Sequence, residues 1–194
     1  MKKELKIIGL SFLALLGGCS NPETTLKEEK TSETQETAGC SEEAACEAGE
    51  YSTAGMKEIS FDQAIELFEN KESGLLYFGF PDCPWCEEAV PVLTEEAGKA
   101  GVPILYVRTR DENKERLYTD AQKEEITPFI KDYMQEDDKG DLALYVPLVL
   151  HVEKGVVTAG HEGTVEGHDA HERTMTEEET ASLHQIYKDL LGAD

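Results

Sequence analysis

Cys83 and Cys86 are separated by two residues in Phe80-Pro81-Asp82-Cys83-Pro84-Trp85-Cys86, at a junction between two kinds of pattern. Before them, Leu75-Leu76-Tyr77-Phe78-Gly79-Phe80 is a short apolar, aromatic-rich run bounded by Gly74 and Pro81, which reads as a core strand. After them, Cys86-Glu87-Glu88-Ala89-Val90-Pro91-Val92-Leu93 has helical composition. Two thiols on the first turn of a helix lie where unpaired backbone N–H groups favour a thiolate. Thiol–disulfide exchange needs such a thiolate to attack a disulfide sulfur, and a second thiol to resolve the mixed disulfide. The spacing therefore predicts an exchange centre in which Cys83 attacks, more exposed, and Cys86, buried, resolves. The helix start favours the Cys83 thiolate by about 0.3–2 kcal/mol. Asp82, Glu87 and Glu88 oppose it by about 1 kcal/mol or less each if solvated. The competing readings of the pair are a structural disulfide and half of a zinc site.

Other residues could carry chemistry. Cys40 and Cys46, in Cys40-Ser41-Glu42-Glu43-Ala44-Ala45-Cys46, have the wrong spacing to complete a zinc ribbon with the first pair. They read as a small local disulfide, or as a relay that exchanges electrons with Cys83 and Cys86. His161, His168 and His171 recur among Glu162, Glu166 and Asp169, a set that could hold zinc or copper, although surface histidines are commoner. His184 reads as solvated or capping. Trp85, between the cysteines, reads as part of an apolar rim for a partner chain, while Tyr77 and Phe78 read as core.

The elements that would position these residues begin near Lys57. Ser60 with Gln63 is a capping-box pattern, followed by the helical stripe Phe61, Ala64, Ile65 and Phe68. After the strand 75–80 and the cysteine helix, Gly101 marks a stop and residues 102–108 form a second strand. Residues 111–139 are polar and helix-favouring; Thr127-Pro128 reads as an N-cap with proline in the first turn, so two helical pieces are expected. Residues 145–152 form a third strand, and Glu153-Lys154-Gly155 a tight turn into a strand over 156–161. Thr176 with Glu179 opens a last helix with Leu183, Ile186, Tyr187 and Leu190 facing inward. A strand–helix–strand crossover, an antiparallel hairpin and a terminal helix predict an α/β fold: a mixed central sheet of about four strands flanked by helices.

The N-terminal third is of another kind. Lys2, Lys3 and Lys6 precede an apolar stretch from Ile7 to Leu16, too short to span a bilayer but suited to a signal-peptide core. Leu16-Gly17-Gly18-Cys19 then resembles a bacterial lipobox, which makes residues 1–18 a lipoprotein signal peptide and Cys19 the lipidated residue. From Ser20 to Gly55, nine glutamates stand against two lysines, a local net of −7, with few large apolar residues. Residues 19–56 therefore read as an acidic, disordered tether with an r.m.s. reach of roughly 35 Å. Residues 57–194 make up the folded domain. A lipid-anchored protein on the extracytoplasmic face of the cell membrane would meet an oxidising compartment. With 41 acidic residues against 18 lysines and arginines and a formal net charge of −23, a nucleic-acid partner is ruled out.

The order of these motifs resembles the thioredoxin fold. Within that superfamily, residues 57–192 look most like extracytoplasmic thioredoxin-family lipoproteins known as bacteriocin-transport accessory proteins. The resemblance rests on residues 77–86, on Pro91 five residues after Cys86, on Val146-Pro147 and on Gly160-His161-Glu162-Gly163-Thr164. It implies that Pro91 kinks the cysteine helix and that Pro147 is a cis-proline lying against the cysteine pair, preceded by the helical insertion. Pro147 as an ordinary edge-strand proline is the plainer alternative. It also implies that Val146, Pro147, Trp85 and Pro84 bind substrate.

The chain departs from thioredoxins in having Asp82 in place of a tryptophan before the first cysteine, and Tyr77 in place of the buried acid that assists proton transfer. Pro84-Trp85 is nearer the glutaredoxin pattern. The implied function is thiol–disulfide oxidoreduction on extracytoplasmic proteins, with a membrane or secreted redox partner, no dissociable cofactor, no bound metal and a monomeric chain. Two other classes compete: a non-enzymatic accessory or chaperone module for exported peptides, and a metal carrier.

Overall fold

Strand β2 (Gly74–Gly79) is the axis of the molecule, hydrogen-bonded on both sides and buried on both faces. Its side chains alternate with the period of a strand: Leu75 and Tyr77 enter one core, Leu76 and Phe78 the other. That two-sided burial is why this segment reads as a continuous apolar run. The computed structural model describes residues 52–192, which contain β1 (Lys57–Ile59), α1 (Phe61–Glu69), β2, α2 (Pro84–Ala100), β3 (Ile104–Arg108) and α3 (Asp120–Ile130). A single 3-10 turn (Lys131–Tyr133) leads to β4 (Gln135–Glu136), β5 (Leu142–Ala143), β6 (Leu148–Glu153), β7 (Val156–Glu162) and α4 (Glu177–Leu191). The expected signal peptide (residues 1–18) and most of the expected tether, with Cys19, Cys40 and Cys46, lie outside the described residues. No described helix is long and apolar enough to cross a membrane.

The central sheet runs β1-β3-β2-β6-β7. β1 and β2 pair with β3 in parallel, while β6 is antiparallel to both β2 and β7. Helices α2 and α4 cover one face with Val90, Leu93, Leu183 and Tyr187; α1 and α3 cover the other with Ala64, Ile65, Ile126 and Ile130. A mixed α/β sheet with helices on both faces and the Cys83 helix leaving its central strand is the thioredoxin fold.

The expected mixed sheet of about four strands flanked by helices is present, with Lys57–Ile59 adding an edge strand too short and too polar to show a pattern. The middle region needs correction. Residues 111–139 do not break at Thr127-Pro128: α3 starts at the Thr119–Gln122 capping box and runs through Pro128. Thr127 does not cap; its hydroxyl donates back to the Lys123 carbonyl at 2.6 Å. Pro128 cannot donate to the Glu124 carbonyl, and α3 continues only two residues beyond it, to Ile130. The region ahead of α3 is a looped hairpin, with an isolated bridge between Arg110 and Arg116. The other caps stand as the residues suggest: Ser60 with Gln63, Thr176 with Glu179, and Gly101 in a left-handed conformation after α2.

Candidate functional site

Cys83 is itself the N-cap of α2. Its Sγ accepts a hydrogen bond from the Cys86 N–H at 3.3 Å, and Pro84 occupies the first turn, where a missing N–H costs nothing. Asp82, with φ of 58°, turns the chain out of the strand and into the helix. Asparagine and aspartate are the non-glycine residues that most often adopt such a conformation. Both cysteines are free thiols, Cys83 3 % exposed and Cys86 0 %.

The two thiols are pushed apart electrostatically. The Cys86 thiol, as donor to the Cys83 sulfur, holds Cys83 below the ordinary thiol range. The backbone N–H groups of Cys86 and Trp85 add to this, while burial and Glu87 oppose it. Burial drives Cys86 far above the ordinary range, and the neighbouring Cys83 reinforces that. The Tyr77 side chain and the Phe80 backbone work in the opposite direction. One thiol poised to ionise and a second held protonated beneath it is the division of roles that nucleophilic attack followed by resolution requires.

Val146-Pro147 faces this pair. The peptide between them is cis, and the Val146 carbonyl lies 3.9 Å from Cys83 Sγ. The Pro147 carbonyl accepts from the Gly163 N–H at 2.8 Å, which ties the segment to the loop after β7. The Val146 N–H has no hydrogen-bond partner among the described residues. An extended chain passing the cysteine could take it up.

A groove with two arms meets at Trp85, Tyr145 and Val146. One arm, about 310 Å³, contains Cys83, Pro84, Phe80, Leu144 and Arg110. The other, about 590 Å³, contains Gln135, Thr164, Glu162 and Glu166. Tyr145 is 43 % exposed, an unusual amount of bare aromatic surface for this chain. Trp85 packs its ring edge-on against His171, with centroids 4.6 Å apart. Trp85, Pro84, Val146 and the cysteines thus come together.

The histidines do not converge. His161 Nε2 bonds the Thr164 carbonyl, His168 Nε2 lies 3.0 Å from Glu88 Oε1, and His171 rests on Trp85. His184, instead of being solvated or capping, joins α4 to α2 through Glu96 at 2.7 Å. Glu95, Glu96 and His184 have the spacing of a metal site, but Lys99 Nζ already sits 2.7 Å from both carboxylates.

Several contributors were invisible in the sequence. Glu88 accepts from the Met175 N–H as well as meeting His168, so the loop before α4 is clasped to the cysteine helix. Thr109, buried, donates both its N–H (2.8 Å) and its hydroxyl (3.1 Å) to the Gly79 carbonyl, fixing the loop that carries Arg110 beside the groove. A Thr at a strand end carries no signal for that.

No protein-family model matches the chain, and no curated protein matches it. Among solved structures, the chain is similar to thioredoxin O2 from Arabidopsis thaliana in its oxidized state, at 15% identity and a TM-score of 0.35, covering 71% of this chain and 99% of that one. A likeness of that size adds nothing to the fold argument, which rests on strand order and the cysteine–proline geometry.

Proposed function

We propose that this chain is a thiol–disulfide oxidoreductase that acts on extracytoplasmic proteins from a lipid anchor at Cys19. The observation that carries the reading is the opposed poise of Cys83 and Cys86 beneath an open groove, with the Val146 backbone beside the attacking sulfur. Cys83 attacks a client disulfide and forms a mixed disulfide. Cys86 attacks the Cys83 sulfur and releases the client thiol, leaving the Cys83–Cys86 disulfide; the reverse sequence oxidises a client dithiol. Val146 pairs with the client backbone, while Trp85, Tyr145 and Pro84 supply the apolar rim. Electrons travel through the cysteines, so the reaction uses no dissociable cofactor. The anchor and the extracytoplasmic address are supported by the Leu16-Gly17-Gly18-Cys19 motif and the basic and apolar residues before it.

The test is equilibration of the full-length protein with glutathione buffers centred on about −200 mV, followed by alkylation and mass measurement. A two-electron transition of Cys83 and Cys86 between about −270 and −120 mV is expected, the span of exchange proteins. A pair that never forms its disulfide in that span, or that cannot be reduced in it, overturns the proposal. In cells, Cys19→Ser is expected to move the protein out of the membrane fraction; unchanged fractionation would remove the anchor.

A further inference from the structure

We infer that the groove reads charge on both sides of the cysteine it attacks, taking a client segment with an acidic residue in the Arg110 arm and a basic residue in the Glu162 arm. The inference deepens the proposed exchange reaction and rests on it.

In a chain of net charge −23, the first arm is cationic. Four arginines lie among the described residues. Arg108, Arg116 and Arg173 each have a carboxylate partner, at 2.9, 2.7 and 2.6 Å. Arg110 has none among the described residues, and neither does Lys114; both line the arm that holds Cys83, where Asp82 is the one opposing carboxylate. Their placement is built. Arg110 lies over the Phe80 ring, 5.6 Å from its centroid, and donates to the Lys114 carbonyl at 2.8 Å. Asp111 Oδ1 accepts from the Asn113 and Glu115 N–H groups at 2.9 and 2.8 Å, and Leu117 N–H bonds the Thr109 carbonyl at 3.0 Å. The loop is closed on itself and pinned at Thr109.

The second arm has the opposite sign. Glu162 and Glu166 line it and no lysine or arginine does, while its histidines, His161 and His168, bond Thr164 and Glu88. The field therefore changes sign across Trp85, Tyr145 and Val146. An extended chain lying along Val146 advances about 7 Å for every two residues, enough to carry side chains flanking its cysteine into the two arms. Complementary charge at such rims governs partner choice and encounter rate more than raw affinity.

The test uses single-cysteine peptides activated as 2-thiopyridyl disulfides, with Glu two residues before the cysteine and Lys two after, with the reverse order, or with Gln at both places. Cys83 thiolate attacks the peptide sulfur; the peptide–pyridyl S–S bond breaks and pyridine-2-thione leaves with the electron pair, taking a proton from water. Cys86 then displaces the peptide thiol from Cys83, and its proton goes to that thiol. The cysteine pair ends oxidised and the probe reduced. One charged order is expected to react about fivefold faster than its isomer at low salt, with the Gln peptide between them. The ratio should fall towards one near 1 M salt, where the Debye length is about 3 Å, and narrow in the Arg110→Gln, Lys114→Gln double variant. Equal rates for the two isomers at low salt would overturn the inference while leaving exchange intact. If the Gln peptide also fails to react, the exchange reading itself falls.

Discussion

The Tyr77 hydroxyl occupies the space that a side chain at residue 79 would need: a Cβ on Gly79 would sit 2.1 Å from it. This absence of a side chain leaves room for a fully buried tyrosine on the central strand, and its side chain favours ionisation of the Cys86 thiol. The phenol favours the Cys86 thiolate, the form that resolution in the proposed exchange would require. Tyr77→Phe is therefore expected to leave Cys83 alkylation nearly unchanged and to lengthen the life of the mixed disulfide, seen by quenched-flow mass measurement. An unaltered lifetime would make Tyr77 a core residue only. Gly79→Ala, by contrast, forces the ring to move in a closed core and should cost about 1–3 kcal/mol in urea unfolding.

The clasp between His168 and Glu88 gives a second prediction. The His168 side chain is fully buried, its Nε2 meets Glu88 at 3.0 Å, and its Nδ1 has no partner among the described residues. Removing Glu88 also orphans the Met175 N–H. Glu88→Ala should cost about 1–3 kcal/mol and speed amide exchange at Met175. A double-mutant cycle with His168→Ala should show the two costs failing to add by at least about 0.5 kcal/mol. Additive losses would mean that the contact couples nothing.

Local chemistry explains what could be read from the chain. Ser60-x-x-Gln63, Thr176-x-x-Glu179, Gly101 and the cysteine spacing are signals within a few residues, and each sits where the pattern places it. The Thr119–Gln122 capping box was equally local, but Thr127-Pro128 offered a competing start, and the proline decided wrongly because it lies at the end of a helix. His168 with Glu88 and His184 with Glu96 bridge 80 and 88 residues. Only the packing of α4 and its preceding loop onto α2 creates them. The cationic loop was hidden for the same reason: Arg110 and Lys114 look like ordinary surface charges until the sheet brings them beside Cys83.

The poise of the cysteines predicts a pH profile. Cys83 ionises below the ordinary thiol range, so its alkylation rate should reach half-maximum at a lower pH than that of a free cysteine thiol, and Cys86 should resist alkylation throughout. Because Glu87 pushes Cys83 upward, Glu87→Gln should move the midpoint lower still. For stability the sign follows from a depressed folded value. The Cys83 contribution is fully present above the unfolded thiol value and is lost as pH falls through the folded one. The stability of the reduced protein relative to Cys83→Ser should therefore rise with pH across that window. A Cys83 midpoint at the ordinary value would remove the activated nucleophile.

Tyr187 supplies the opposite case to Tyr77. It is fully buried on α4, its ring meets His161 edge-on at 6.0 Å, and its hydroxyl has no hydrogen-bond partner among the described residues. Burial, with Cys86 adding to it, drives its ionisation well above the ordinary phenol range, so the group stays neutral throughout the working pH. A buried hydroxyl without a partner carries a desolvation penalty that a phenylalanine of the same shape does not. Tyr187→Phe should therefore raise stability by about 1 kcal/mol in urea unfolding while leaving the Cys83 alkylation profile in place. Destabilisation by the same amount would reveal a bond from the hydroxyl to bound water, and would place a polar site beneath Cys86.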